Sequence, residues 1–547
     1  MDNPSQPQQH ISYFNAAVCA AILFITLFGH LGAIGLVGPD EPRYGWVARA
    51  MATTGDWVTP RLYGQPWFEK PVLYYWAAAI GFLLHLPAEW ALRLPSALAA
   101  LAAAFAIGWL GWKHYGAGAT RLSDPVMLAP LLFSTTVAAI GFSRAATPDM
   151  LFSASVALAM ASAATVFRYA GRLRAGAGAA TNLKAVDTLP LLMFGVFLGF
   201  GVLAKGPAAI LLAGGAVALW TLCTGNWRAS LRLAHPYAIL AFGVIALPWY
   251  VLCALRNPDF LPVFILQHNF ERYLTPVFQH RQPFWFFGPI TLLALLPWTA
   301  LPWPASREGL RLWREKSWND SPGFFFSCWA LFPVLFFSFS QSKLPSYILP
   351  AVPAIALLCA VAAVRSNGSA SPRIGIGVTW MALGLAAVVW MHRLQAPARE
   401  AFGSAILVSA VIAFAGGAGI MLLGRRRENA FIALSLIVTA VLVEFAGVAI
   451  LPRIDPYVSG RWHAQLMHNN LHPDRIFAYH LPRSWNYGLA FYFRRELPEW
   501  SPSDPDPGLV LTTPEGLKEI RQARRFYGDL EETYQGILYV PIGPIPR

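Results

Sequence analysis

The chain has 547 residues, of which only 13% are charged, about half the share usual in soluble domains. Hydrophobic residues make up 56%, mean hydropathy is +0.47, and the charges are clumped between fourteen long apolar stretches. A soluble globule is thereby excluded, and a polytopic membrane protein is the class that remains. The net charge of +13 would point to nucleic acid in a soluble chain, but here it follows from Lys and Arg gathered in loops. No nucleic-acid partner is expected. The five cysteines all fall inside apolar segments without metal-ligand spacing, so neither a disulfide framework nor a zinc motif is indicated.

In chain order, the first stretch (14–36) has no basic leader and no cleavage site, and reads as a retained span. A loop over 37–90 follows. Within it, 42–54 has the pattern of a short amphipathic helix, with Trp46, Val47 and Met51 apolar and Arg43 and Arg49 polar. Segment 71–88 is short, opens on Pro71 and carries Tyr74, Tyr75 and Trp76, so it reads as an interfacial helix that does not cross. Further spans are expected at 91–112, 125–142, 149–168, 188–204, 207–224 and 236–255. After a loop at 256–283 come 284–304, 323–340, 347–364, 375–393, 402–424 and 429–451. That makes thirteen. One set of alternate loops holds 17 Lys and Arg and the other set of short loops five, which places the first set in the cytoplasm and the tail outside. Residues 1–452 thus form the membrane domain. The tail, 453–547, alternates apolar runs (RIFAYHL, GLVLTT, GILYVPI) with a helical stretch, as a small α/β unit would.

With sides assigned, the polar residues at outer helix ends come to one face: Asp40, Glu41, Glu69, Lys70, Asp149, Lys205, Arg256, His268, Glu271, Arg272, Lys343 and Tyr347. Cations there suit a lipid-linked phosphate, and carboxylates suit a general base or a positively charged substrate group. No nucleotide-binding G-x-x-x-x-G-K-[ST] is present, nor H-E-x-x-H or G-x-S-x-G. Transporters need polar groups at mid-membrane, and these gather at one face. Group transfer from a lipid-phosphate donor is therefore favoured. Bland roles stand beside the chemical ones. Asp149 could cap its helix, Lys70 could snorkel, Lys205 and Lys343 could be interfacial anchors, and Glu444 inside the last span should be protonated or paired. Glu69 and His268 could meet across two loops and hold a divalent ion, though no local motif supports one.

The segments PDEPRYGWVARAM, PWFEKPVLYYW, LRLPSAL, SRAATPDM and FSFSQSKLPSYILPAVPAIAL resemble, in order and side, polyprenyl-phosphate-dependent glycosyltransferases of the protein O-mannosyltransferase type. Within that group the chain is most similar to the bacterial lipid A 4-amino-4-deoxy-L-arabinose transferases, over about 1–365. The resemblance implies an all-α type-C glycosyltransferase fold of about thirteen spans with a small periplasmic α/β domain. It also implies inverting transfer of the amino sugar from undecaprenyl phosphate to a lipid A phosphate, at the periplasmic face of the inner membrane, giving polymyxin resistance. Asp40 matches the first-loop acid, with Glu41 beside it, and Asp149 matches the second acid. Arg43, Tyr44 and Lys70 match residues near the carrier phosphate, as does one of Arg256 and Arg272. Lys205, Lys343 and Tyr347 complete the candidate phosphate-binding set. No cofactor is required by this reading. The alternative it leaves open is transfer to protein hydroxyls, or of another sugar.

Overall fold

Apolar runs become helices because a backbone in hydrocarbon must satisfy its own hydrogen bonds. The computed structural model describes residues 13–116, 121–167, 188–271, 281–318, 321–365, 370–394, 396–423, 430–468, 475–501, 503, 507–522, 531–532 and 537–542. Seven helices open the chain: α1 (Tyr13–Phe28), α2 (Asp40–Thr54), α3 (Leu73–Leu83), α4 (Ala88–Tyr115), α5 (Pro125–Ser134), α6 (Val137–Ser143) and α7 (Asp149–Val166). Eight helices among the described residues, α4 and α7 included, are long and apolar enough to cross a membrane, and the bent pair α5–α6 would make a ninth. The protein is a multi-pass membrane protein. Thirteen crossings require that α1 and the shorter apolar helices Ala208–Thr224, Phe284–Ala294 and Pro322–Ser338 also cross.

Helix α3 is the fifth short apolar helix, with 11 residues. It rises about 16 Å, roughly half the hydrocarbon thickness, and so cannot span. It lies against α2 and α4. Tyr74 donates from its hydroxyl to the Leu92 carbonyl at 2.8 Å, and the Trp76 indole N–H donates to the Trp57 carbonyl at 2.8 Å. Gly81 makes the close packing with α4 feasible, since a Cβ there would meet the Ala91 Cα at 2.8 Å.

The expected span at 125–142 is not one rod. It bends by 65° between α5 and α6. Thr135 and Thr136 turn their hydroxyls back onto the carbonyls of Leu131 and Phe133, at 2.5 and 2.7 Å, and Thr136 caps α6 through the Ala139 N–H. The expected span at 284–304 is interrupted at the same depth, ending its helix at Ala294 and resuming at Pro302. The two breaks complete each other: the Trp298 indole donates to Thr135 Oγ1 at 2.9 Å, and the Val137 N–H donates to the Leu296 carbonyl at 2.9 Å. Backbone groups freed by the kinks thus find protein partners, as hydrocarbon demands. Glu444 is paired as well, with His30 Nε2 at 2.8 Å.

The tail carries a four-stranded sheet in the order β3 (Ile476–Tyr479), β4 (Gly508–Thr512), β6 (Leu538–Ile542), β5 (Glu531–Glu532); β1 and β2 form a two-residue hairpin at Arg61–Leu62 and Gln65–Pro66. Strands β3 and β4 are parallel, joined by a crossover that holds the Arg483–Phe493 helix, whereas β6 is antiparallel to both neighbours. Apolar residues cover both faces of this sheet. The tail is bolted to the first loop. Asp455 accepts from the Gly35 N–H at 2.7 Å and pairs with Arg461, whose guanidinium also reaches Glu89 at 3.3 Å and the Gly32 carbonyl at 2.9 Å.

Candidate active site

Helix α2 begins at Asp40, directly after a loop that ends in Gly38 and Pro39. Successive helical residues turn by about 100°, so Asp40 and Glu41 face different surroundings. Asp40 is 53% exposed and accepts from Arg43 Nη2 at 2.5 Å. Arg43, on the next turn, is only 7% exposed and also reaches Glu69 Oε2 at 3.0 Å. Its guanidinium lies over the rings of Trp67, Tyr44 and Tyr487, at 5.2, 5.5 and 5.7 Å. Burial disfavours the Arg43 charge, but Glu69, Tyr44 and Asp40 outweigh it and raise its pKa. Tyr44 itself is buried, edge-on to Tyr74 and Tyr75.

From Glu69 the charges continue as a ladder. Lys70 Nζ lies 3.3 Å from Glu69 Oε1, and its charge is felt by Asp149. Asp149 pairs with Lys205, whose ammonium stands 5.2 Å from the Tyr347 ring centroid. Asp149 does not cap its helix; the cap position is Pro148, without a side-chain bond. The structure therefore links Asp40, Arg43, Glu69 and Lys70 by ion pairs and groups Asp149, Lys205 and Tyr347 beyond them, with Lys70 close enough to act on Asp149. Three buried polar atoms beside it, Arg43 Nε, Trp67 Nε1 and Tyr75 Oη, have no hydrogen-bond partner among the described residues. Buried orphaned groups of this kind call for a partner such as water or an ion, or for a functional role.

An open cavity of about 480 Å³ adjoins the ladder, lined by Trp67, Phe68, Glu69, Arg256, Asn257 and Asp259 among others. Arg256 is held over it by Asp56 at 3.3 Å. Burial acts to raise the Asp56 pKa, but N–H donation from Thr59 and Val58, then Arg61 and Arg256, outweigh it and hold the carboxyl below its usual range. Arg272 lies outside the described residues, as does the side chain of His268. Glu69 faces Arg43 and Lys70, and among the described residues no cluster of three His, Cys, Asp or Glu is suited to a metal. Lys343 is buried and donates to the Ser340 carbonyl at 2.5 Å, with no ion pair among the described residues; burial pulls its pKa down.

Glu41 has a different setting from its neighbour. It is 10% exposed and receives Arg93 Nη2 at 2.7 Å, the Ala146 N–H at 2.7 Å and the Val37 N–H at 2.8 Å. Arg93 in turn donates to the carbonyls of Leu31, Ile34 and Gly35. The pair thus ties the end of the first span, the start of α2, the middle helix α4 and the turn before Asp149. Its oxygens are filled, which suits a brace better than a base. Sequence reasoning missed Arg93 and Tyr487 as site residues. Arg93 had a signal in the LRLPSAL segment, whereas Tyr487, from the tail helix, had none.

Residues 15–264 match the family model described as dolichyl-phosphate-mannose-protein mannosyltransferase. The chain is 32% identical over 379 residues to the undecaprenyl phosphate-alpha-4-amino-4-deoxy-L-arabinose arabinosyl transferase of Edwardsiella ictaluri, covering 67% of this chain and 63% of that one. It is 33% identical over 362 residues to the protein of that name from Serratia proteamaculans, with 63% and 60% covered. The match thus spans about three fifths of these relatives' length. In fold, it superposes on the crystal structure of ArnT from Cupriavidus metallidurans bound to undecaprenyl phosphate, with a TM-score of 0.78 at 23% identity, over 96% of this chain and 97% of that one.

Proposed function

From a chain related by sequence to the aminoarabinose transferases and sharing the ArnT fold, we propose an enzyme that transfers 4-amino-4-deoxy-L-arabinose from undecaprenyl phosphate to a phosphate of lipid A. The reaction occurs at the periplasmic face of the bacterial inner membrane. It inverts the anomeric carbon and confers resistance to polymyxin and cationic peptides. The observation that carries this reading is the ladder of alternating acids and cations from Asp40 to Lys205 at one end of an apolar bundle.

The chemistry follows from the charges. As the acceptor oxygen attacks C1, the bond from C1 to the carrier phosphate breaks and that phosphate gains negative charge. Lys70 and Lys205, with Arg43 and Arg256, are the groups that meet it. A lipid A phosphate is already largely ionised at neutral pH, so its oxygen needs little deprotonation. Asp40 and Asp149 therefore serve the sugar more than the acceptor, orienting it through its 4-ammonium group. Glu41, bonded to Arg93, braces the fold that carries both acids and takes no part in the reaction itself. Glu69 is matched by two cations, Arg43 and Lys70, which suits it poorly to hold a divalent metal. The family match over 15–264 supports a second reading, transfer to a protein hydroxyl.

Mass spectrometry of lipid A from a host lacking its own transferase decides between them. Complementation with the native chain should add one aminopentose to lipid A. No addition from well-expressed protein would reject the aminoarabinose assignment and favour the second reading.

A further inference from the structure

At the far end of α2 a second cationic feature stands outside the ladder. Arg49 is partly buried, with its guanidinium 3.6 Å from the Phe491 ring centroid and 5.5 Å from that of Phe82. Its only hydrogen bond among those described is to the Phe491 carbonyl, at 2.7 Å. Another cation, Arg494, is exposed just past the end of the tail helix, and its backbone N–H donates at 3.3 Å to the same Phe491 carbonyl that Arg49 bonds. Among the described residues neither arginine has a carboxylate within ion-pair distance. Glu89, the acid that does act on Arg49, is occupied by Arg461 and by the Tyr492 hydroxyl. Burial, and then Arg494, lower the Arg49 pKa to about 10. Two like charges, one of them desolvated, are left uncompensated at a seam, and such a pair favours an anion between or beside them.

The surroundings identify what kind of anion. Phe82 belongs to α3, whose outer side exposes Ile80, Leu83 and Leu84. Arg49 therefore lies against a helix that presents an exposed apolar surface, the complement of an amphiphile with a phosphate head and acyl chains. Arg49 is nine residues from Asp40 on one helix, about 13 Å along its axis. A headgroup held at Arg49 can thus reach the ladder without leaving the surface.

We propose that Arg49 and Arg494, with the exposed face of α3, form the docking site for the phosphorylated acceptor lipid, so that the tail supplies half of the acceptor grip. The proposal rests on the acceptor being a lipid, as argued above. It assigns the tail a role in substrate binding that the ladder does not require.

The test is equilibrium binding of fluorescent bisphosphorylated lipid A to the full-length chain in zwitterionic nanodiscs, with phosphatidylglycerol as a second probe. Arg494→Glu is the main variant, because it leaves the Arg49–Phe491 bond in place. Lipid A binding should weaken about tenfold, phosphatidylglycerol binding should barely change, and Arg494→Lys should restore the native value. In transfer assays the acceptor KM should rise while donor KM and kcat stay within about twofold. Undiminished lipid A binding by Arg494→Glu would overturn the proposal, as would equal loss of both lipids, which marks a general anionic-lipid anchor. Failure of the native chain to transfer sugar would reject the proposed reaction, whereas the binding comparison would still decide the docking site.

Discussion

Asp40 and Glu41 are adjacent acids, each bonded to an arginine, and the structure uses them in opposite ways. Asp40 is half exposed at the end of the ladder, and its arginine is shared with Glu69 and framed by aromatic rings. Glu41 is buried, and three partners from separate parts of the chain fill its oxygens. The lesson is that a pair of charges near a lipid boundary is assigned by what remains unsatisfied. Groups with spare capacity and solvent access meet substrate, whereas groups with full coordination hold the backbone that presents them.

The largest difference should appear in catalysis. Asp40→Asn keeps size and removes charge, and should lower kcat/KM about a hundredfold with the amino-sugar donor. With a neutral pentose donor the loss should be clearly smaller, because there is no ammonium for the acid to grip. Equal losses in a steady-state comparison of the two donors would reject the orienting role.

Stability should show the reverse ranking. Glu41→Gln leaves the Arg93 guanidinium buried without its counter-charge, at a cost of about 3–5 kcal/mol, so detergent-solubilised variant should unfold at markedly lower temperature. Asp40→Asn, on the exposed side, should unfold within about a degree or two of native. A Glu41→Gln protein as stable as native would show that Arg93 is held by its three carbonyl partners alone.

The smallest effect concerns the loop beneath Arg256. The Asp56 pKa is depressed in the folded chain, so its stabilising contribution is complete above the unfolded carboxylate value and is lost as pH falls through the folded one. Hydrogen exchange across 56–66 should therefore be slow and flat from about pH 7 to about pH 4, after correction for intrinsic rates, and rise below that. Exchange that rises already near neutrality would mean that another group secures the loop.

Much of this was legible in the sequence. Clumped charge and apolar length reveal a polytopic bundle, the non-crossing α3 follows from its Pro71 opening and short run, and the interleaved acids and cations pick out the ladder. Other features leave little local trace. The 125–142 run marks its 65° break only by Ser134, Thr135 and Thr136, residues that straight spans also tolerate, and the break depends on Trp298 and Leu296, about 160 residues away, as partners. In the same way Asp40 and Glu41 look alike as letters. Only the partners that a 100° helical turn brings to each, Arg43 for one and Arg93 for the other, separate them. Tyr487 reaches Arg43 from a helix more than 400 residues further on, which no spacing rule detects. Long-range packing supplies the missing half of the site.

The most direct measurement puts both acids in one experiment: lipid A modification per folded molecule, by mass spectrometry with quantified membrane protein, for native chain, Asp40→Asn and Glu41→Gln. The account predicts that Asp40→Asn accumulates to native levels and leaves lipid A almost unmodified. Glu41→Gln should accumulate poorly, yet retain most of its activity per folded molecule. A Glu41→Gln enzyme that is abundant and inactive, or an Asp40→Asn enzyme that modifies lipid A as the native chain does, would contradict it.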